Sequence, residues 1–199
     1  MLTGTCLQHA VYLDNLEFVR YFFQQRTDNQ EYDPIISYDS ALPPIFIACS
    51  NLAKNSLEIV KILLDQEQTR IDMTIQDGSR KKNLLHVLLS DKYEKERDSW
   101  PLTKLIYQIL TLLIQKRPIQ IKKLINEPTG KRQGKNTPLH LACCHKGQEL
   151  IKILLKNGAE GSLFSKNADR EIPANLMLTD TLRYHLDEKL STEGKYTST

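Results

Sequence analysis

The sequence predicts an all-α protein built as a linear array of stacked helix–turn–helix units. Three observations carry this reading. A short phrase ending in small residues recurs along the chain, most fully as "TPLHLACCHKG" at residues 137–147. Longer apolar runs follow it, such as Ile59-Val60-Ile62-Leu63-Leu64 and Leu150-Ile151-Ile153-Leu154-Leu155. These runs are apolar over so wide an arc that each helix needs neighbours on two sides. Stacking supplies them, because each unit buries its face against the next.

The units follow in order. The first is "CLQHAVYLDNLEFVRYFF", with Ala10 at the small position and Leu16-Glu17 opening the second helix. Its aromatic group Phe18, Tyr21, Phe22 and Phe23 is expected to be mostly core. The second unit is "PPIFIACSNLAKNSLEIVKILL", where Ala48-Cys49 stand in place of Ala142-Cys143. The third opens as "NLLHVLL" at 83–89, and its second helix is displaced to Leu102–Lys116. There Leu102, Leu105, Ile106, Ile109, Leu110 and Leu113 keep helical spacing behind Pro101 in the first turn. In the fourth unit Thr137 can cap a helix whose first position is Pro138, where a missing N–H costs nothing. Ala142 lets the paired helices approach closely, and Gly158 supplies a left-handed helix end. A fifth, weaker unit is "IPANLM" at 172–177 followed by "DTLRYHLDEKL". Asp180 can cap this last helix, with Leu182, Leu186 and Leu190 on one stripe, as a closing unit requires. Taking Leu7, Ile45, Leu85, Leu139 and Ala174 as equivalent anchors gives spacings of 38, 40, 54 and 35 residues.

The residues Thr137-Pro138-Leu139-His140, Ala142 and Asn157-Gly158-Ala159-Glu160 resemble the ankyrin repeat, whose signature is T-P-L-H-x-A ahead of a helix–turn–helix and a Gly-Ala loop. The spacings exceed the roughly 33-residue length of that repeat, which implies insertions. The resemblance covers about residues 3 to 190. It implies an ankyrin-repeat solenoid with hairpin-like finger loops and repeats at about 3–35, 40–77, 80–128, 134–166 and 169–190. An insertion at about 90–101, "SDKYEKERDSWP", is expected to be a helical extension with a solvated face and Trp100 as a lid on the core. The small, polar tail at 191–199 is expected to be disordered. The first unit starts almost at Met1 with no preceding finger, which points to a piece of a longer protein.

Composition narrows the function. Apolar residues make up 40% and charged residues 26%, as in a soluble protein with a real core. A net charge of +3 is too small to indicate nucleic acid by itself. No run of about 18 apolar residues exists, so no membrane-spanning helix is predicted. The start "MLTGTCLQHA" lacks the basic and apolar regions of a secretory signal. Cys6, Cys49, Cys143 and Cys144 lack CxxC spacing, and two are adjacent, which makes a poor disulfide framework. A reducing, cytoplasmic location is expected.

The cluster His140, Cys143, Cys144 and His145 raises thiol or metal chemistry. His140 and Cys144 are four apart on one helical face, but the ankyrin resemblance places His140 in an inter-repeat hydrogen-bond network and Cys143 in the core. His86 repeats the His140 position, and His9 falls one position later. Zinc needs three or four converging ligands, and one short helix cannot supply them from His140, Cys144 and His145. No phosphate-cradling Gly loop, HExxH or nucleophile elbow is present. No enzyme activity, metal or cofactor is therefore expected within this chain.

The resemblance implies a protein–protein interaction module with a concave groove. Its expected contacts are exposed first-helix positions, Tyr12, Leu13, Ser50, Asn51, Cys144 and His145. The basic loops "GSRKKN", "TGKRQGKN" and "SKNADR" add Arg80, Lys81, Lys82, Lys131, Arg132, Lys135, Lys166 and Arg170 as finger residues. In register these would favour an acidic partner surface and speed encounter. No aromatic residues interleave with them, which argues against single-stranded nucleic acid. A monomer is expected. The alternative is a targeting or regulatory array of a larger enzyme, such as a bacterial effector with eukaryotic-like repeats acting in host cytosol.

Overall fold

The computed structural model describes residues 5–25, 42–66, 73, 81–90, 100–144 and 147–176. Every regular element among the described residues is helical. In the first pair, α1 (Cys6–Tyr12) starts at a capping box in which Thr5 and Gln8 satisfy each other's amides. Helix α2 (Leu16–Gln24) starts at Asn15, whose side chain accepts from the Phe18 amide at 3.0 Å. In the second pair, α3 (Pro44–Asn51) has proline in its first turn and ends at Leu52, in left-handed conformation. Helix α4 (Ser56–Gln66) follows. The third pair comprises α5 (Leu84–Leu88), capped by Asn83, and the long α6 (Trp100–Lys116).

A short helix not anticipated from the sequence comes next, α7 (Pro118–Leu124). Its signal was present: Pro118 at the first position, then Ile121, Leu124 and Ile125 at helical spacing, all buried. It occupies part of the long 85-to-139 interval. The fourth pair is α8 (Pro138–Cys144) and α9 (Gln148–Lys156), and α10 (Pro173–Leu176) closes the described chain. Gly158 has φ +104°, and a Cβ there would meet nothing within 4 Å, so the backbone and not space demands glycine.

The helices form two rows. Helix α1 packs on α3, α3 on α5, α5 on α8 and α8 on α10. Behind them α2 packs on α4, α4 on α6 and α6 on α9. The core runs between the rows. It takes Ile59, Val60, Leu63 and Leu64 from α4, Ile106, Ile109, Leu110 and Leu113 from α6, and Leu150, Ile151, Leu154 and Leu155 from α9. Of the anchors read from the sequence, Leu7, Ile45, Leu85 and Leu139 are buried from the other row, with Ala142 beside Leu139, whereas Ala174 is half-buried. Arg117, itself buried, reaches back to donate to the Leu64 carbonyl at 3.0 Å, satisfying the end of α4.

The aromatic group of α2 departs from expectation. Phe22 and Phe23 stand edge to face with each other and, half-buried, pack against the core, whereas Phe18 and Tyr21 are exposed. Helix α2 packs chiefly on α1 and α4. The insertion (apart from its first residue and the Trp100–Pro101 backbone), the side chain of Trp100, the stripe Leu182, Leu186 and Leu190, and the tail lie outside the described residues.

Candidate interaction surface

One bonding pattern joins successive helix pairs and explains the histidines. The Thr137 amide donates to His140 Nδ1 at 3.2 Å. An amide only donates, so Nδ1 is the acceptor and the ring proton sits on Nε2. Nε2 in turn donates to the Glu171 carbonyl at 3.2 Å, in the next loop along the row. Gln8 does the same work in the first pair. Its Oε1 accepts from the Thr5 amide at 2.6 Å and its Nε2 donates to the Leu42 carbonyl at 2.8 Å. His86 accepts from the Asn83 amide at 3.1 Å, but its Nε2 meets no acceptor at hydrogen-bonding geometry. In the second pair Phe46 occupies this position, fully buried, and α3 has no side-chain cap. His9 stands outside the pattern, against the Thr5 carbonyl.

This geometry bears on the chemistry of the His–Cys cluster. Both nitrogens of His140 are committed, and burial lowers its pKa, partly offset by the backbone of Glu171 and Ser165. It has no lone pair to offer Cys144 as a base. Burial pushes the Cys143 thiol up to about 12, with Cys144 adding to the rise, and Cys49 likewise to about 12. Neither is a thiolate at neutral pH. Cys144 is half-buried, and His145 lies outside the described residues. No group of three metal-ligating side chains converges among the described residues.

The loops between pairs are more ordered than their composition implies. In the loop before α8, the Thr129 amide donates to the Asn136 carbonyl at 2.9 Å, and Thr129 Oγ1 accepts from the Asn136 amide at 2.9 Å. A single 3-10 turn, Lys131–Gln133, forms its tip, and Gly134 leaves it at φ +82°. The next loop is closed by Asn167, which accepts from the Asp169 and Glu171 amides. The two loops are tied together: the Ala168 amide donates to the Gly134 carbonyl at 2.8 Å and Asn167 Nδ2 to Asn136 Oδ1 at 3.1 Å.

Of the basic residues singled out from the sequence, the structure gathers Lys81, Lys131, Arg132, Lys135 and Lys166 around one depression of about 790 Å³. Lys82 is half-buried and lies outside it, as does exposed Arg170. Arg80 is outside the described residues. Thr129, Gly130, Gln133 and Asn126 also line the depression and were not anticipated. The turn residues Pro128-Thr129-Gly130 were the available signal. Among the first-helix positions, Tyr12 and Leu13 are exposed, and Asn51 Nδ2 donates to the Tyr12 carbonyl at 2.8 Å. Ser50, half-buried, donates to the Ile47 carbonyl at 3.1 Å. The structure therefore joins Tyr12 and Asn51, and keeps the basic depression as a separate feature.

The fourth pair with its flanking loops carries a recognisable family pattern. Residues 134–168 match the family model for the ankyrin repeat. No curated protein matches the chain. The ankyrin match spans Thr137, His140 and Gly158, so the interlocking His140 and the left-handed Gly158 belong to it. It supports an ankyrin repeat at these residues, in a chain whose described regular elements are all helical. Ankyrin repeats bind other proteins, and no helix among the described residues is long and apolar enough to cross a membrane.

Proposed function

We propose that the chain is a non-catalytic protein–protein interaction module: an ankyrin solenoid of about five repeats that docks a partner through its concave first-helix face and basic finger loops. The observation that carries this reading is the convergence of Lys81, Lys131, Arg132, Lys135 and Lys166 on one depression beside the ankyrin repeat. The two-row packing of α1 to α10 supports a continuous array. Cross-bonded loops hold the surface in place before a partner arrives, which lowers the ordering cost of docking. The partner surface would be acidic, and the fingers would speed encounter at low salt. The protein would act as a monomer in the cytoplasm.

Affinity capture from cell lysate on the immobilised chain tests the module. Retained proteins are compared between the wild type, Arg132→Glu plus Lys135→Glu in the fingers, and Ser50→Arg plus Asn51→Arg on the first-helix face. A partner that is lost with either double change supports the reading. Retention of nothing above a blank surface, or retention indifferent to both changes, overturns it.

A further inference from the structure

We propose that the depression around the loop at 127–136 is built to seat a run of carboxylates, an acidic peptide segment of the partner protein. This rests on the reading of the chain as a binding module and names the chemistry of what it binds.

The charge is one-sided. Lys81, Lys131, Arg132, Lys135 and Lys166 come from three separate loops, and among the described residues no Asp or Glu lines the depression. None of the five forms an ion pair among the described residues. Two acids of these loops are turned to internal partners, while Asp169 is exposed and lies outside the lining of the depression. Glu127 Oε2 accepts from Asn83 Nδ2 at 3.4 Å, and Glu171 Oε2 from Asn167 Nδ2 at 3.4 Å.

The backbone shows that these cations are kept against conformational preference. Lys81, Lys135 and Arg170 have φ values of 47°, 51° and 63°. Each stands four residues before its anchor, Leu85, Leu139 or Ala174. Left-handed backbone favours glycine and costs a residue with a Cβ. The chain uses glycine for such backbone at Gly134 and Gly158, and Asp14 and Leu52 take it at helix ends outside these loops. Three loops in a row nonetheless place a long cation at the same left-handed position, two of them on the depression. Local strain of this kind accumulates where a side chain is needed.

The surroundings select the class of anion. Among the described residues no aromatic side chain lines the depression, so they offer unpaired bases nothing to stack on. Five cations spread around about 790 Å³ exceed what one phosphate engages. An extended peptide carrying several carboxylates reaches them together. The loops are already cross-bonded, so seating such a peptide orders little that is not ordered.

Fluorescence anisotropy with a labelled octaglutamate peptide, an octaglutamine control and an eight-residue oligodeoxythymidine tests this on the full chain. The glutamate peptide should bind, weakening as salt rises, and the glutamine peptide should not. Lys81→Gly plus Lys135→Gly should weaken glutamate binding about tenfold, roughly threefold per charge. The same variant should raise the thermal midpoint by about 2–4 °C, because glycine relieves both left-handed positions. Lys131→Ala plus Arg132→Ala should weaken binding similarly with no rise in midpoint, and Lys122→Ala on α7 should change neither. Unchanged glutamate affinity in both double variants, equal binding of glutamine, tighter binding of the oligonucleotide, or a lowered midpoint in the glycine variant would overturn the proposal. A captured partner that binds the glycine variant as well as wild type removes this site alone. Capture of no partner at all removes the module reading beneath it.

Discussion

The third and fourth helix pairs begin from nearly the same phrase and end in different states. Asn83 with His86 and Thr137 with His140 each set a cap residue three positions before a histidine, and in both the cap amide donates to Nδ1. His140 then closes its second bond to Glu171, while His86 Nε2 meets no acceptor in good geometry. The backbone of Glu127 and Asn136 still lies near enough to hold the His86 pKa up slightly, against a larger lowering by burial. The loop that should receive His86 is fixed elsewhere. Asn126 donates to the Gly158 carbonyl and accepts from Ser162, and Thr129 closes on Asn136. Helix α7 also stands between α6 and that loop. The difference teaches that a local phrase prepares one end of an inter-repeat bond, and the neighbouring loop decides whether the other end forms.

The strongest way to break this comparison is truncation. His140→Ala should cost about 2–4 kcal/mol in urea denaturation, since it opens a cavity, leaves the Thr137 amide unpaired and removes one of the two donors to the Glu171 carbonyl, which keeps the Asn167 amide. His86→Ala should cost less, about 1–2 kcal/mol, because only one bond is lost. Equal losses would mean that the two positions are bonded alike.

Acid offers a second test. Burial lowers the His86 pKa from 6.5 to about 4. Between those values the unfolded chain takes up a proton that the folded chain refuses, so stability falls as pH falls through that window. The contribution is whole above pH 6.5 and exhausted below about pH 4, amounting to about 3 kcal/mol at most. His140, also lowered by burial, acts in the same direction. His86→Gln should flatten the dependence of the denaturation midpoint on pH, because Gln8 shows that an amide can fill this position without titrating. An unaltered profile would place the acid sensitivity elsewhere.

A milder change sharpens the equivalence of Gln8 and His140. His140→Gln should stay within about 1 kcal/mol of wild type, since glutamine offers one acceptor to the cap amide and one donor to the next loop. Finally, thiol labelling separates surface from core with little effect on stability. Exposed Cys6 should react at once, whereas buried Cys49 and Cys143, both pushed up to about 12, should react only as the chain unfolds. Rapid labelling of all three would mean that the core between the rows opens readily.

Much of the architecture was legible because its signals are short-ranged. The arcs of α4 and α9, the anchors Leu7, Ile45, Leu85 and Leu139, the small Ala142 and the left-handed Gly158 follow from periodicity and backbone preference within a few residues. The identity of His140 as a folding residue followed from its place in the phrase. Helix α7 was missed because a seven-residue element carries little periodic signal, although Pro118 and Ile121 marked it.

What the residues settled locally is therefore the apolar faces of α4, α6 and α9 and the starts of α6 and α8. Only the tertiary structure decided which loops meet. Lys81 and Lys166 share one depression, Phe18 and Tyr21 stay exposed, and His140 but not His86 completes its bond. The physical reason is range. Helix propensity and caps act over three or four residues, whereas a charge or an acceptor contributed by another loop arrives only when packing of the two rows brings that loop alongside.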